Sequence, residues 1–278
     1  MIVVTGATGN VGRPLVAALT AAGEQVTAVS RRPAPDLPVR HVQADVGDAE
    51  SLRPALEGAK ALFLLIGPEL HQEGEPPAAV LDAAKAAGVR RVVLLSSQGA
   101  QTRPDNVAHA RLHAYEEAVR QSGLDWTLLR PGGFASNAFA WADSVRAHRT
   151  IAAPFADVAL PVIDPADIAA VADVALREEG HAERTYVLTG PAAVSPREQA
   201  AAIGEAIGAE VGFTELSRAE AHAFMTRFMP EPVVEGTLNI LGQPRPAEQR
   251  VSPDVERLLG RAPHTFADWA ARNAAAFA

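Results

Sequence analysis

Apolar and polar positions follow two alternating rhythms over the first 130 residues. Short β-branched runs stand at Ile2–Thr5, Gln25–Ser30, Val39–Val42, Leu62–Ile66, Arg91–Leu95 and Trp126–Leu129. Between most of them lie alanine- and leucine-rich stretches of helical spacing, at Val11–Ala22, Ala49–Leu56, Pro77–Ala87 and Val107–Ser122. Strands alternating with helices imply βαβ units, and strands this apolar are covered on both faces. The expected class is therefore α/β, a doubly wound parallel sheet. Gly23, Gly58, Gly88 and Gly123 each follow a helical stretch, where glycine ends a helix readily. After Arg130 the rhythm changes. Pro131-Gly132-Gly133 breaks it, Asn137–Ala147 reads as a short amphipathic helix, and Asp164–Arg177 as a helix with Asp164 as N-cap and Pro165 in its first position. Thr185–Leu188 reads as a further strand, and Pro196–Ile207, Arg218–Met229 and Asp254–Leu259 as helices joined by proline-rich connections. The pattern predicts a core of residues 1–134 and 155–190, with a smaller, mainly helical cap formed by 135–154 and 191–278.

Composition narrows the function classes. The chain has 278 residues, 48% apolar and 21% charged, as in ordinary globular proteins. Lysine and arginine number 25 against 33 acids, a net charge of −8. Without a basic block there is no electrostatic footprint for nucleic acid. The absence of cysteine excludes disulfides, thiolate metal sites and cysteine nucleophiles. In the first half the longest apolar run, Ala61–Ile66, is far short of the ~20 residues a membrane span needs. The N-terminus lacks a basic region and begins as a strand, unlike a signal peptide. A cytoplasmic protein is expected. Lys60 and Lys85 are the only lysines beside abundant alanine and arginine, a composition suggesting a G+C-rich bacterial source.

The most informative segment is Val3-Val4-Thr5-Gly6-Ala7-Thr8-Gly9-Asn10-Val11-Gly12. A strand runs directly into glycines at 6, 9 and 12, and a helix opens at once. In this context Gly6 permits the tight turn, Gly9 lets backbone approach a pyrophosphate, and Gly12 allows close helix packing. The helix N-terminus presents N–H groups and a positive dipole end to the phosphates, with Thr8, Asn10 and Val11 alongside.

The spacing Gly6-x-x-Gly9-x-x-Gly12 resembles that of the NmrA-like family of atypical short-chain dehydrogenase/reductases. Leu94-Leu95-Ser96-Ser97 is similar to the end of that family's fifth strand, and Ser122–Pro131 to its sixth-strand signature. Phe134-Ala135-Ser136-Asn137 and Ile163–Ala169 are similar to its later blocks. The likeness spans residues 1–190 well, and the rest only in general shape. It implies a Rossmann fold and a nicotinamide dinucleotide cofactor. Asp45-Val46 resembles the family's adenine-contacting pair, although a helix-entry turn reads equally well there. Ile66, Gly67, Ser96, Pro131, Gly132 and Phe134 complete the expected cofactor contacts. Ser97 and the Pro131–Phe134 turn are expected to border the nicotinamide, at the carboxyl ends of strands where such sheets bind ligands.

The second strand ends in Ser30-Arg31-Arg32-Pro33. An NAD-selective protein usually places a carboxylate here for the ribose 2′-hydroxyl. Arginine instead forks onto a phosphate and stacks on adenine, so NADP(H) is expected, with Arg31 the first contact and Arg32 the second. Asp36, the nearest acid, lies too far along to substitute.

Short-chain reductases generally use tyrosine and lysine four residues apart on one helix face to pass a proton to the carbonyl. The chain's two tyrosines, Tyr115 and Tyr186, have no lysine four residues later. The equivalent places fall on Ala108 and Leu112, so Leu112 is expected to present an apolar wall to substrate. His113 and Ser97 are the candidate catalytic residues. One residue along a helix is ~100° of rotation, so His113 points away from the Leu112 face unless the helix bulges. Ser97 reads equally well as a loop cap, and Tyr115 as part of a helix flank. No metal is expected: His109-x-x-x-His113 has zinc-like spacing, but Ala110 replaces the glutamate of the metalloprotease pattern. A hydrolase elbow, Gly-x-Ser-x-Gly, is missing too.

Hydride transfer to a quinone, azo bond or activated enone needs little general-acid help, because the protein supplies position and dryness while the cofactor carries the difficult step. Phe134, Asn137, Phe139, Trp141, Phe224 and Phe228 are the candidate substrate contacts; the aromatic members read equally well as core. The leading expectation is an NADP(H)-dependent reductase of a small, apolar, aromatic or quinone-like molecule. The alternatives are a non-catalytic NADP(H) sensor and a non-redox biosynthetic enzyme.

Overall fold

The computed structural model describes residues 1–67 and 74–278. It divides into two compact units, residues 1–131, 165–188 and 257–260 in the first, and 132–164, 189–256 and 261–278 in the second.

The first unit is built on strands β1 (Ile2–Thr5), β2 (Val26–Ser30), β3 (Arg40–Gln43), β4 (Ala61–Leu65), β5 (Arg91–Leu95) and β6 (Asp125–Pro131), with a later strand at Arg184–Leu188. Among the described residues the seven pair in parallel, in the order β3-β2-β1-β4-β5-β6 and then Arg184–Leu188. Strands β1 and β2 are buried along their whole length, as their unbroken apolar runs require. Helices α1 (Gly12–Ala21) and Pro165–Arg177 pack on each other and on one face. Helices α2 (Ala49–Leu56), α3 (Pro77–Ala86) and α5 (Val107–Gln121) cover the other, and α4 (Gln98–Thr102) packs on α5. Leu52, Leu62, Leu64, Leu81 and Leu94 form the centre of that second layer. Each contributes ~1.5–3 kcal/mol by burial. Gly23, Gly58, Gly88 and Gly123 take positive φ, so each ends its helix as expected. Strand order reverses beside β1, which has β2 on one side and β4 on the other. The crevice at their carboxyl ends is where open α/β sheets hold ligands.

The second unit is mainly helical, as expected, and also holds a strand pair that the sequence did not predict. Strands β7 (Thr150–Pro154) and β9 (Gly212–Leu216), numbered with Arg184–Leu188 as β8, form a parallel pair. Both were missed in the sequence because they are only partly buried and carry no continuous run of large apolar residues. The stretch read as one helix, Asn137–Ala147, is a 3₁₀ segment, Ala135–Trp141, running into α6 (Ala142–His148). Helix Pro165–Arg177 takes the label α7. It is followed by α8 (Pro196–Ile207), α9 (Arg218–Met225), α10 (Glu231–Gly242), α11 (Pro246–Gln249), α12 (Asp254–Leu259) and α13 (Phe266–Arg272). Helix α9 stops four residues before the expected Met229. The core of this unit joins Val145, Ile151, Ile203, Phe266, Trp269 and Phe277. Asp164 is 4% exposed and ion-paired to Arg272.

Candidate functional site

The first turn after β1 follows from its glycines. Gly6 sits at φ +62°, and its carbonyl accepts the Gly9 N–H at 3.0 Å. A Cβ at Gly12 would lie 2.1 Å from the Gly6 carbonyl oxygen and 2.6 Å from the Ala7 Cα. The absence of a Cβ at Gly12 thus lets the first turn of α1 lie directly against the Gly6–Ala7 backbone that follows β1. Gly9 differs: a Cβ there would press on the Gly6 oxygen at 3.3 Å, a tight contact, but meet no other atom beyond its chain neighbours within 4 Å. Helix α1 begins at Val11 with no side-chain cap and no acid in its first turn. By contrast, α2, α8, α9 and α13 begin on capping Asp48, Ser195, Ser217 and Thr265. The uncapped start leaves backbone donors and the positive dipole end directed at the loop.

A cavity opens on this loop. Its walls are Gly6, Thr8 and Gly9, the β2 end Val29–Arg32, the Ala44–Val46 segment after β3, and Leu65 and Gly67 at the end of β4. The cavity thus brings together eight of the expected cofactor contacts: Gly6, Thr8, Gly9, Arg31, Arg32, Asp45, Val46 and Gly67. Val11 is 2% exposed and lies with Gly12 beneath the loop. Asn10 is exposed beside them. Ile66 is buried in the core. Asp45 also holds a turn, its Oδ1 accepting the Gly47 N–H at 2.8 Å.

The chemistry around the β2 end is cationic. Arg31 and Arg32 are exposed. The nearest acid along the chain, Asp36, is tied at 2.7 Å to Arg13 on the first turn of α1, and Arg13 also donates to the Thr8 carbonyl. The Arg13 hydrogen bond holds the Asp36 carboxyl below its ordinary range. Sequence reasoning missed Arg13, whose signal is its place one residue after Gly12.

Farther along the same sheet edge, Ser96 is buried and donates to Glu116 at 2.6 Å. Glu116, on α5, also accepts from Arg130 and, at 3.0 Å, from Arg120. Burial pushes this carboxyl up, but the hydrogen bonds from Arg130 and Ser96 and the charges of both arginines outweigh it, and the net shift is downward. This network was not foreseen; its signal is the i,i+4 pair Glu116–Arg120 facing an arginine at the end of β6. The Ser97 oxygen accepts the Gly99 N–H at 3.1 Å, so Ser97 caps α4. Leu112 is 5% exposed within the core, and the neighbouring His113 is exposed on the outer side of α5. Tyr115 is fully buried beneath Arg111, and burial raises its pKa. Tyr186 bonds His181 at 2.9 Å. Pro131 ends β6 and is buried.

The second unit holds the remaining candidates. Phe134 bridges to Ile163, with the Gly133 carbonyl accepting the Ile163 N–H at 2.8 Å and Gly132 preceding it. Asn137 is exposed. Phe139 stacks on Phe277 and meets Trp269 edge-on, and Trp141 packs against the same core. Phe224 and Phe228 are 53% and 68% exposed, 5.3 Å apart, with the Arg227 guanidinium over both. No group of three potential metal ligands occurs among the described residues, and none of their helices is long and apolar enough to cross a membrane.

Residues 6–179 match the NAD(P)H-binding protein family. The whole chain is 39% identical to a (4-alkanoyl-5-oxo-2,5-dihydrofuran-3-yl)methyl phosphate reductase of Streptomyces griseus, covering 99% of that protein. It is 34% identical to an NAD(P)H azoreductase of Xenophilus azovorans, again over 100% of this chain and 99% of the relative. Among solved structures, an NADPH-dependent quinone oxidoreductase of Escherichia coli in complex with NADPH superposes with a TM-score of 0.82 at 28% identity, covering 98% of this chain and 99% of the other.

Proposed function

Because the chain belongs to the NAD(P)H-binding family of NmrA-like atypical short-chain dehydrogenase/reductases, we propose that it is an NADP(H)-dependent reductase of a small, apolar, conjugated molecule of quinone, azo or enone type. The carrying observation is the cavity that unites the glycine loop with Arg31 and Arg32, while Asp36, the nearest acid along the chain, is paired with Arg13. Space at Gly9 bounded only by the Gly6 oxygen, an uncapped helix start and two guanidinium groups fit a dinucleotide bearing a 2′-phosphate. In this assignment Gly6, Thr8 and Gly9 receive the pyrophosphate, Arg31 and Arg32 the 2′-phosphate, and Asp45 and Val46 the adenine. The bound cofactor supplies the hydride. The chain's own part is to orient the cofactor and exclude water, since Ala108 and Leu112 offer no proton where related reductases carry tyrosine and lysine. Substrates whose product charge is delocalised need no such donor. The azoreductase and quinone oxidoreductase named above support this substrate class, while the (4-alkanoyl-5-oxo-2,5-dihydrofuran-3-yl)methyl phosphate reductase supports a conjugated acceptor that also carries a phosphate.

A second reading, an NADP(H)-binding regulator without turnover, is favoured by the same missing pair. Steady oxidation of NADPH with a panel of quinones, azo dyes and activated enones separates the two. Turnover on a conjugated acceptor is expected. Tight NADPH binding with no acceptor reduced would leave the regulator. Arg31→Ala should weaken NADPH binding by ~1.5–3 kcal/mol, the worth of hydrogen bonds to a charged group.

A further inference from the structure

Strand β3 lies at the edge of the sheet, with His41 opposite Ala28 and Gln43 opposite Ser30. The ladder between the two strands closes with the Ala44 N–H on the Ser30 carbonyl. Arg31 and Arg32 then leave the sheet, and their carbonyls need other donors. Side chains provide them. Gln43 Nε2 donates to the Arg31 carbonyl at 2.9 Å, and the Ser30 hydroxyl to the Arg32 carbonyl at 2.7 Å. His41 Nε2 lies 2.8 Å from the Ser30 oxygen. A hydroxyl has one proton, and Ser30 gives it to a carbonyl that has none to return. His41 must therefore donate, which places a hydrogen on Nε2. Pro33 adds a further constraint by restricting Arg32 to extended backbone.

The consequence concerns charge. A carbonyl oxygen facing the cavity would repel a phosphate beside the two guanidinium groups. Here the Arg31 carbonyl is turned onto Gln43 of β3 and the Arg32 carbonyl onto the Ser30 hydroxyl at the end of β2, and Ser30, Arg31 and Arg32 line the cavity while His41 and Gln43 do not. We propose that His41, acting through Ser30, and Gln43 are positioning residues that set the preference for a 2′-phosphorylated nucleotide by holding the Arg31–Arg32 backbone. The inference rests on the NADP(H) reading above.

Calorimetry with two nucleotide fragments tests it, 2′,5′-ADP carrying the extra phosphate and 5′-AMP lacking it. His41→Leu and Gln43→Leu should each weaken 2′,5′-ADP roughly three- to tenfold, the scale of one hydrogen bond, and leave 5′-AMP unchanged. His41→Gln, which keeps an N–H of similar reach, should retain the wild-type preference. Gln43 is exposed, so its variant reports even where a His41 variant misfolds by circular dichroism. Unchanged 2′,5′-ADP affinity in the leucine variants, or equal weakening of both fragments, overturns the positioning role while leaving the NADP(H) reading in place. A wild-type protein that does not distinguish the fragments overturns the NADP(H) reading and this inference with it.

Discussion

Gly9 and Gly12 occupy one loop, yet substitution should affect them in opposite ways. A side chain at Gly9 meets only the Gly6 oxygen, at a tight 3.3 Å, so Gly9→Val should fold and lose nucleotide binding, because its methyl groups should fill the place proposed for the pyrophosphate. At Gly12 the first added carbon already overlaps the loop backbone, so Gly12→Ala should destabilise the apo protein by several kcal/mol. Urea unfolding and NADPH titration of both variants check this. A Gly9→Val protein that binds NADPH normally would mean the loop is not a phosphate site. The spacing of the glycines was legible in the sequence because each answers to a local backbone demand. Which atoms Gly12 packs against, the Gly6 carbonyl and the Ala7 Cα, was not, since that depends on how the turn closes in space. The same limit explains Arg13. Its pairing with Asp36 bridges 23 residues of sequence and carries no periodic signal.

At the scale of elements, α5 shows what register decides. Leu112 packs inward while His113, one residue on, faces outward. His113→Ala should therefore leave the rate of hydride transfer, measured in a single turnover, within a small factor of wild type. A loss of ~10²–10⁴-fold with intact NADPH affinity would make the histidine a general acid and the reading of this helix face wrong. One turn beyond Leu112, Glu116 joins α5 to the end of β6 through Arg130. Its folded pKa lies below the ordinary glutamate value of 4.5. In that range the unfolded chain binds more protons, so the contribution is complete above pH ~4.5 and lost as pH falls through the folded value. The urea midpoint should drop below that pH, and less steeply in Glu116→Gln; equal steepness would exclude the pair as the cause. Strands β1, β2, β4 and β5 were legible because apolar runs buried on both faces are continuous. β7 and β9 were not, because a two-stranded pair is stabilised by tertiary packing more than by its own pattern.

For the molecule as a whole, cofactor preference and stability are linked. The chain carries a net charge of −8, so in the proposed assignment an anionic dinucleotide would be drawn by the local cluster of Arg31, Arg32 and the α1 start, against the overall field. A ligand that binds only the folded chain stabilises it by ~2.7 kcal/mol at one hundred times its Kd. NADPH at that ratio should raise the thermal midpoint by several degrees or more. NADH at the same concentration should raise it less, because the arginines have no 2′-phosphate to engage. Gly9→Val should show neither shift while unfolding near the wild-type midpoint without ligand. Differential scanning calorimetry of wild type and variant with each nucleotide makes the comparison. Equal shifts from NADPH and NADH would remove Arg31 and Arg32 from the nucleotide site. A wild-type shift that persists in Gly9→Val would place binding away from the glycine loop altogether.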